Sequence, residues 1–498
     1  MAALTTPLMS SASSDHCRSS PSRSKNHQDS TPFPMPHLTL PTLLSALLIL
    51  SVTAVSGQKA KPNIILLYAD DLGYTDLSCQ GSDYYRTPNI DRLAKEGMTF
   101  TNAYAAAANC APSRASLMTG LYTPRHGVFT VGNSGRGKAA HRRLVPISNK
   151  TELTRQLPTM AQVLKGAGYR TAVAGKWHLS DDPTAYGFEA NFGGLKWGSP
   201  KSYFSPYRNP KLKDGPKGEH LPARLATELC NWIRSTQKKN NPFFVYFPFY
   251  SVHTPIQARA DLTASYAGKS GTHHSNAKYA AMIEAMDLAV GQILDLLDEL
   301  ELAKDTLVIF TSDNGPHGGV SNARPLRGSK GMFYEGGIRE PFLVRWPGRI
   351  RASSRLDTAI HQVDLLPTFA AVAGTEAPEL QDGVDLSPLF RGDSLPARPL
   401  FWHFPAYLQG YGKDLGSPFQ HFRTTPCGVV RQGDWKLIEY FEDGALELYN
   451  LQRDPSEKNN LAEREAKRRE ELHDLLKSWR KATKAPVPTE KNPKFQDN

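Results

Sequence analysis

Cysteine, long apolar runs and nucleic-acid signatures are what this chain has least of. Five cysteines in 498 residues exclude a scaffold held by many disulfides. One long charge-free apolar stretch is present, Leu38–Val55, and it ends in Ala54-Val55-Ser56-Gly57. That is the pattern of a secretory signal core cleaved near Gly57. Pro41 and the modest length argue against a stable membrane anchor. Residues 1–37, rich in Ser, Pro and His, read as a disordered lead, with Met35 as an alternative start. Export to a periplasm or the cell exterior is therefore expected. The net charge of +11 suggests an anionic partner, but the basic residues are dispersed and no nucleic-acid motif accompanies them. A polyanionic carbohydrate or a surface kept for solubility fits that charge as well. No internal repeat is present.

The remainder has the composition of a folded protein, 40% hydrophobic and 21% charged. Asn63–Tyr68 is a continuous apolar run suited to a strand buried on both faces, and similar runs recur at 171–174, 242–250, 306–310 and 341–346. Helical patterns at 159–165 and 277–302 separate them. Strands alternating with helices predict an α/β sandwich around a mostly parallel sheet. Beyond about residue 395 the pattern becomes short strands at 400–404, 427–430, 435–440 and 445–448, then a charged helix over 462–481. This predicts a small antiparallel sheet closed by a helix. The expected divisions are 1–57 (lead and signal), 58–395 (catalytic) and 396–498 (C-terminal subdomain). The stretch 186–220, rich in Gly, Pro and aromatics, reads as a rim over a site, with Tyr203–Tyr207 suited to a sugar ring. Asn149-Lys-Thr151 is a glycosylation sequon.

The chemistry-bearing residues cluster at predicted strand ends. Asp70-Asp71 closes the first strand and Asp313-Asn314 another. Adjacent carboxylates are often plain turn residues, but three carboxylates and an amide oxygen form a hard donor set suited to Ca²⁺ or Mg²⁺ rather than zinc. Gly175-Lys176-Trp177-His178 follows the strand at 171–174, and Ser251-Val-His253-Thr-Pro255 follows the one at 242–250. Alone, Lys176, His178 and His253 would be a surface lysine and packed or capped histidines. His126 and His317 are weaker and read as structural or rim residues, while His403 and His421 in the C-terminal segment are further candidates. The segment 110–120 reads Cys110-Ala-Pro-Ser-Arg114-Ala-Ser-Leu-Met-Thr-Gly120. A lone cysteine would be a small buried residue, but here it shares a fixed spacing with Pro112, Ser113, Arg114 and Thr119-Gly120.

That segment resembles the signature of the type I sulfatases, of the arylsulfatase A-like group within the alkaline phosphatase superfamily. The resemblance extends over roughly residues 60–465, including Lys330-Gly-Met-Phe-Tyr-Glu335-Gly-Gly-Ile-Arg339-Glu-Pro341. It implies an alkaline-phosphatase-like sandwich and oxidation of Cys110 to formylglycine by a formylglycine-generating enzyme. The hydrated aldehyde would attack sulfur with one hydroxyl, and deprotonating the other would expel sulfate. The resemblance assigns one divalent ion, usually Ca²⁺, to Asp70, Asp71, Asp313, Asn314 and the modified Cys110. It makes Lys176 and Lys330 sulfate clamps, Arg114 the holder of the hydrate, His178 the base for sulfate release and His253 the acid for the leaving alcohol. Glu335 and Arg339 would hold their loop. With Cys110 modified and Cys17 in the lead, Cys79, Cys230 and Cys427 allow at most one disulfide. The implied reaction is hydrolysis of a sulfated carbohydrate or aryl sulfate, with galactose or N-acetylgalactosamine sulfates as the guess. The rivals are a two-metal phosphodiesterase or phosphatase of the same fold, disfavoured by Cys110 and by Asn314 where a zinc-binding His would be expected, and a non-catalytic calcium-dependent carbohydrate-binding protein.

Overall fold

Isoleucine, leucine and tyrosine run unbroken from Ile64 to Tyr68 in the strand Asn63–Ala69, and both of its faces are buried. In the computed structural model, which describes residues 61–239, 241–410 and 416–496, this strand is the middle of an eight-stranded sheet. The spatial order is Ala190–Phe192, Arg170–Ala174, Phe243–Pro248, Asn63–Ala69, Thr306–Ser312, Phe342–Arg345, Met98–Phe100 and Ser354–Leu356. The first five strands run parallel. Phe342–Arg345 is antiparallel to both neighbours, and Met98–Phe100 pairs in parallel with the edge strand. Register places Ile65 opposite Val245 on one side and Val308 on the other.

Because successive side chains point to opposite faces, the strand serves two cores. Ile65, Leu67 and Ala69 enter a core with residues of the helices Pro88–Glu96, Leu221–Gln237 and Ala277–Glu299. Ile64, Leu66 and Tyr68 enter the other, with the helices Cys110–Thr119, Met160–Gly166 and Leu365–Val372. Helix starts follow their sequence signals. Thr159 and Gln162 form a capping box ahead of Met160, and the Asn276 side chain accepts from Tyr279 N. The result is the predicted α/β sandwich.

The C-terminal strands Leu400–Phe404, Cys427–Gln432, Trp435–Tyr440 and Leu446–Asn450 form a four-stranded antiparallel sheet in that order, covered by the helix Ala466–Thr483. Its floor is tied to the short helix Glu335–Ile338, just before the strand Phe342–Arg345, by a buried charge cluster: Lys436 Nζ lies 3.1 Å from Glu335 and 2.9 Å from Glu457. The predicted lead and signal segment lies outside the described residues. Among the described residues no helix is long and apolar enough to cross a membrane. The cysteines Cys79, Cys110, Cys230 and Cys427 are free, so no disulfide joins them.

Candidate active site

Parallel strands carry their loops to one end of the sheet, the usual place for a site in such folds. Four of these loops interlock. Asp70 N donates to Ser251 O at 2.9 Å, Asp313 N to Ala69 O at 3.1 Å and Lys176 N to Pro248 O at 2.7 Å. A Cβ on Gly175 would fall 2.0 Å from Pro248 O, so only glycine permits that approach. Into this interlock the helix Cys110–Thr119, buried along its whole length, presents its first residue.

The sequence-predicted residues come together here. Asp70, Asp71, Arg114, Lys176, Asp313 and Asn314 are fully buried. Lys330 Nζ lies 3.1 Å from Cys110 Sγ and 2.8 Å from Asp71 Oδ2. Lys176 Nζ bridges both Asp70 oxygens at 2.7 and 2.6 Å. Arg114, one turn along from Cys110, donates to Asp313 Oδ2 through Nε (3.0 Å) and Nη2 (2.7 Å) and to Lys176 O through Nη1 (2.8 Å). Asn314 Nδ2 donates to Asp71 Oδ1 at 2.7 Å, whereas its buried Oδ1 has no partner. His253 directs Nε2 toward Asp71 Oδ2 at 3.7 Å and donates from Nδ1 to Thr254 O at 2.7 Å, which fixes the tautomer. His178 and Asp71 both adopt left-handed backbone, φ 62° and 60°, a conformation uncommon for non-glycine residues and concentrated at functional sites.

Three cations thus face three carboxylates out of water. Burial pushes Asp70 up to about 8, offset by Lys176 and reinforced by Asp313 and Asp71. Burial also opposes ionisation of Asp71, but Lys330, His253 and Lys176 outweigh it and hold the carboxyl well below the usual range. Burial drives the Cys110 thiol up to about 12 despite Lys176 and Lys330. As a thiol, Cys110 is therefore a poor nucleophile. Burial, then neighbouring cations, pushes His178 far below an ordinary imidazole and His253 down to about 3. One ligand atom each from Asp70, Asp71, Cys110 and Asp313 lies within 4.8 Å of the others, a spacing one metal ion can span.

Several supporting residues have no signal in the sequence. Tyr279 OH lies 3.1 Å from Asp71 O and 2.7 Å from Asp76 Oδ2, bracing the left-handed residue. Gln362 Oε1 accepts from Tyr68 OH (2.7 Å) and Ser113 Oγ (2.9 Å), joining the central strand to the Cys110 helix. Gly198 lies flat against His178, since a Cβ there would meet Nε2 at 2.9 Å.

Other expectations are corrected. Tyr203 and Tyr207 are buried, not presented to a sugar. Tyr203 OH instead braces the His253 segment, donating to Tyr250 O (2.5 Å) and His253 O (2.9 Å). The Asn149 amide of the sequon spends Nδ2 on Thr130 O (3.0 Å) and Gly132 O (2.6 Å), which disfavours glycan attachment. His126 is buried between Ser116 Oγ and Val128 N, and His403 is held by Pro486 O. His317 is partly exposed, within the field of Asp71, Lys330 and Arg423. Glu335 and Arg339 do hold their loop, through Tyr104 OH (2.8 Å to Glu335) and Thr101 O (2.9 and 2.6 Å from Arg339).

Known proteins are similar to this chain in sequence and fold. The Sulfatase family model matches residues 62–375, and the model of the N-sulphoglucosamine sulphohydrolase C-terminal region matches 329–482. A "Sulfatase" of Formosa agariphila is 34% identical, with 89% of this chain and 93% of that protein covered. The N-acetylgalactosamine-6-sulfatase of Sus scrofa is 36% identical over 76% of this chain and 75% of its own. The crystal structure of Ps i-CgsB in complex with k-i-k-neocarrahexaose superposes with a TM-score of 0.71 at 29% identity, covering 88% of this chain and 95% of that one. Proteins of this family generally use a metal ion and a formylglycine. The family match takes in every strand end that feeds the cluster, from Asp70 to Lys330: the chain belongs to the sulfatase family, as a sulfuric ester hydrolase on the alkaline-phosphatase-like fold.

Proposed function

We propose that the chain removes sulfate from galactose or N-acetylgalactosamine units of sulfated saccharides, and turns over aryl sulfates as generic substrates. In this reading Cys110 is converted to formylglycine by a formylglycine-generating enzyme, and one divalent ion is held by Asp70, Asp71, Asp313, Asn314 and the modified residue. The buried Asn314 Oδ1 has no partner, and its residue adjoins the cluster of Asp70, Asp71 and Asp313 through Nδ2 to Asp71, which supports an ion there. Hard oxygen donors favour Ca²⁺, with Mg²⁺ as the alternative. Held by these residues, the ion would polarise a sulfate oxygen, and the hydrated aldehyde would supply a hydroxyl nucleophile and a second hydroxyl whose deprotonation would release sulfate.

The chain's own side chains do the rest. Lys176 and Lys330 carry ammonium groups in a water-poor pocket, where they hold charge on the sulfate oxygens. Arg114 keeps Asp313 in place. His253 holds its mobile proton at Nε2, because Nδ1–H is committed to Thr254 O; from there it protonates the departing sugar oxygen. His178 accepts the proton whose removal completes sulfate release. The sugar assignment is supported by the 36% identity to an N-acetylgalactosamine-6-sulfatase. Export through the Leu38–Val55 segment belongs to the same reading, since such substrates are extracellular polymers.

The observation that carries the proposal is Cys110 at the start of a buried helix, within reach of Lys330 and Asp71. The test is twofold. The tryptic peptide Glu96–Arg114 from protein matured with the modifying enzyme should show formylglycine by mass spectrometry. The same protein should desulfate galactose and N-acetylgalactosamine sulfates in a panel of defined saccharides with 4-nitrophenyl sulfate as control. Full activity from an unmodified thiol would overturn the maturation, and aryl sulfate turnover without any sugar turnover would overturn the substrate.

A further inference from the structure

A cavity of about 270 Å³ borders a hairpin that reaches the backbone of Lys330. The hairpin pairs Leu408–Gln409 with Phe422–Thr424. From it Arg423 Nη1 donates to Lys330 O at 3.0 Å. Two residues before Arg423, His421 lines the cavity together with His141, Arg143, Phe419, Phe422 and Phe495.

The walls come from chain segments far apart in sequence, and they are pinned together. Val145 N donates to Glu490 O, Asn492 N to Arg143 O and Gln496 N to Ala140 O, each at 2.9 Å. The C-terminal segment thereby holds the 138–147 loop in place, so this wall of the cavity is part of the fold. Its chemistry is mixed in a specific way. His141 and His421 stack face to face with centroids 3.6 Å apart. Arg143 lies over the Phe495 ring at 5.7 Å and keeps 48% of its side chain exposed, with Asp443 4.0 Å away. Arg142 next to it is spent on the Gly135 and Gly137 carbonyls, both at 2.7 Å. Residues 133–150 carry Arg136, Lys138, Arg142, Arg143 and Lys150 and no Asp or Glu. Glu442 holds Tyr407 OH and Arg143 N, leaving Gln420 and Gln496 as neutral polar groups on the wall.

Aromatic faces suit the C–H face of a pyranose, amides suit its hydroxyls, and exposed guanidinium and imidazole groups suit a sulfate or carboxylate. We propose that this cavity is a distal saccharide subsite, taking an anionic sugar unit of the same oligosaccharide whose sulfate is cleaved at Cys110. The proposal rests on the carbohydrate reading above and extends it: the enzyme grips a chain, not one sugar. Aromatic and cationic groups together also suit single-stranded nucleic acid. The hairpin that carries His421 also carries Arg423, bonded to the backbone of the clamp residue Lys330, and this structural coupling favours a ligand of the sulfated chain.

The test uses the matured, metal-loaded enzyme and the double variant Arg143→Gln/His421→Ala, both exposed positions. A chondroitin 6-sulfate hexasaccharide, N-acetylgalactosamine 6-sulfate and 4-nitrophenyl sulfate are compared. The expected result is a KM at least about tenfold higher for the hexasaccharide at unchanged kcat, with the effect confined to that substrate. An unchanged hexasaccharide KM overturns the proposal, and so does an equal loss on all three substrates. Competition by a single-stranded oligonucleotide as strong as by the hexasaccharide would reassign the surface to nucleic acid. If only the aryl sulfate is turned over, the carbohydrate reading fails on its own account. The subsite is then decided by calorimetry of the hexasaccharide on Cys110→Ala: binding lost in the double variant supports it, and no binding overturns it.

Discussion

Lys330 Nζ stands 3.1 Å from Cys110 Sγ, although 220 residues separate the two in the chain. The contact is held from both ends. Lys330 N donates to Pro316 O at 2.9 Å, and Cys110 begins a helix anchored through Ser113 and Gln362. A rigid cation beside the reacting residue acts on charge that develops in the transition state. Lys330→Met should lower kcat/KM for 4-nitrophenyl sulfate by about 10²–10³-fold. Lys330→Arg should rescue little, because a planar fork does not replace a point charge in a buried pocket. Steady-state kinetics on folded, fully formylglycine-bearing variants would check this, and a loss below about fivefold would remove Lys330 from the clamp.

Metal removal reads the second half of the site. Chelation should abolish turnover, and Ca²⁺ or Mg²⁺ should restore it better than Zn²⁺. Bound metal should also stabilise the fold, by about 2.7 kcal/mol when free metal is 100 times its Kd. Asn314→Leu keeps roughly the side-chain volume and deletes the unpartnered Oδ1, so its melting temperature should respond weakly to Ca²⁺. A response equal to that of the unsubstituted protein would exclude Asn314 as a ligand.

Gly198 offers a test by shape alone. A methyl group at this position would lie 2.9 Å from His178 Nε2, closer than packing allows, and the ring must turn. Gly198→Ala should therefore lower kcat by roughly tenfold or more with little change in KM, as expected when a proton-transfer group is displaced. If KM alone rises, Gly198 shapes the substrate pocket instead.

The strand ends were legible for a simple reason. A strand buried on both faces must be apolar throughout, so Asn63–Ala69 and Thr306–Ser312 stand out, and the charged residues that follow each mark the end of the sheet. Asp70, Asp71, Asp313 and Asn314 stand out that way, whereas Lys176, His178 and His253, also at strand ends, take their roles from the resemblance to the sulfatases, as Cys110 and Lys330 do from their motifs. What stayed hidden is what depends on packing between distant segments. Tyr203 in an irregular, aromatic-rich stretch looked like a sugar platform, but its ring is buried and its hydroxyl braces the His253 backbone. The Asn149 sequon is a local pattern, yet the amide is consumed by the turn at 130–132. Gly198 and Tyr279 carry no motif, and only the fold brings them to His178 and Asp71.

The buried cluster beneath the C-terminal sheet predicts a pH effect on stability. Burial, and then the Glu335 charge, raise Glu457 to about 7 against the pull of Lys436. A raised carboxyl pKa means that the folded state holds the proton more tightly than the unfolded state. The stability this brings is complete below about 4.5 and is lost as pH rises through about 7. Glu335 is shifted the other way: burial opposes its ionisation, but Lys436 and the nearby arginines outweigh it. Its contribution therefore changes only below the ordinary glutamate range. Between pH 5 and 8 this one group removes on the order of 3 kcal/mol. It is opposed in the same window by buried histidines such as His253, whose charged form is disfavoured. The stability difference between the protein and Glu457→Gln should therefore change by about that amount across the window. Urea unfolding across pH would show it, and identical slopes in the two proteins would count against a protonated Glu457.

The two histidines separate by leaving group. His253 is low in the free protein because burial, and then Lys330, disfavour its charged form, with Asp71 opposing. A bound sulfate monoester brings negative charge against Lys330, which raises the imidazole toward the range where it can act as an acid. A sugar alkoxide is a poor leaving group and needs that proton, whereas nitrophenolate does not. His253→Ala should therefore cost about 10²–10⁴-fold on a sugar sulfate but only a few-fold on 4-nitrophenyl sulfate. His178→Ala should slow both substrates alike, since sulfate release is common to both, and intact-mass measurement after a single turnover should show sulfate retained on the Cys110-derived residue. Equal losses on both substrates for His253→Ala, with no retained sulfate for His178→Ala, would reverse these roles while leaving the sulfatase chemistry in place.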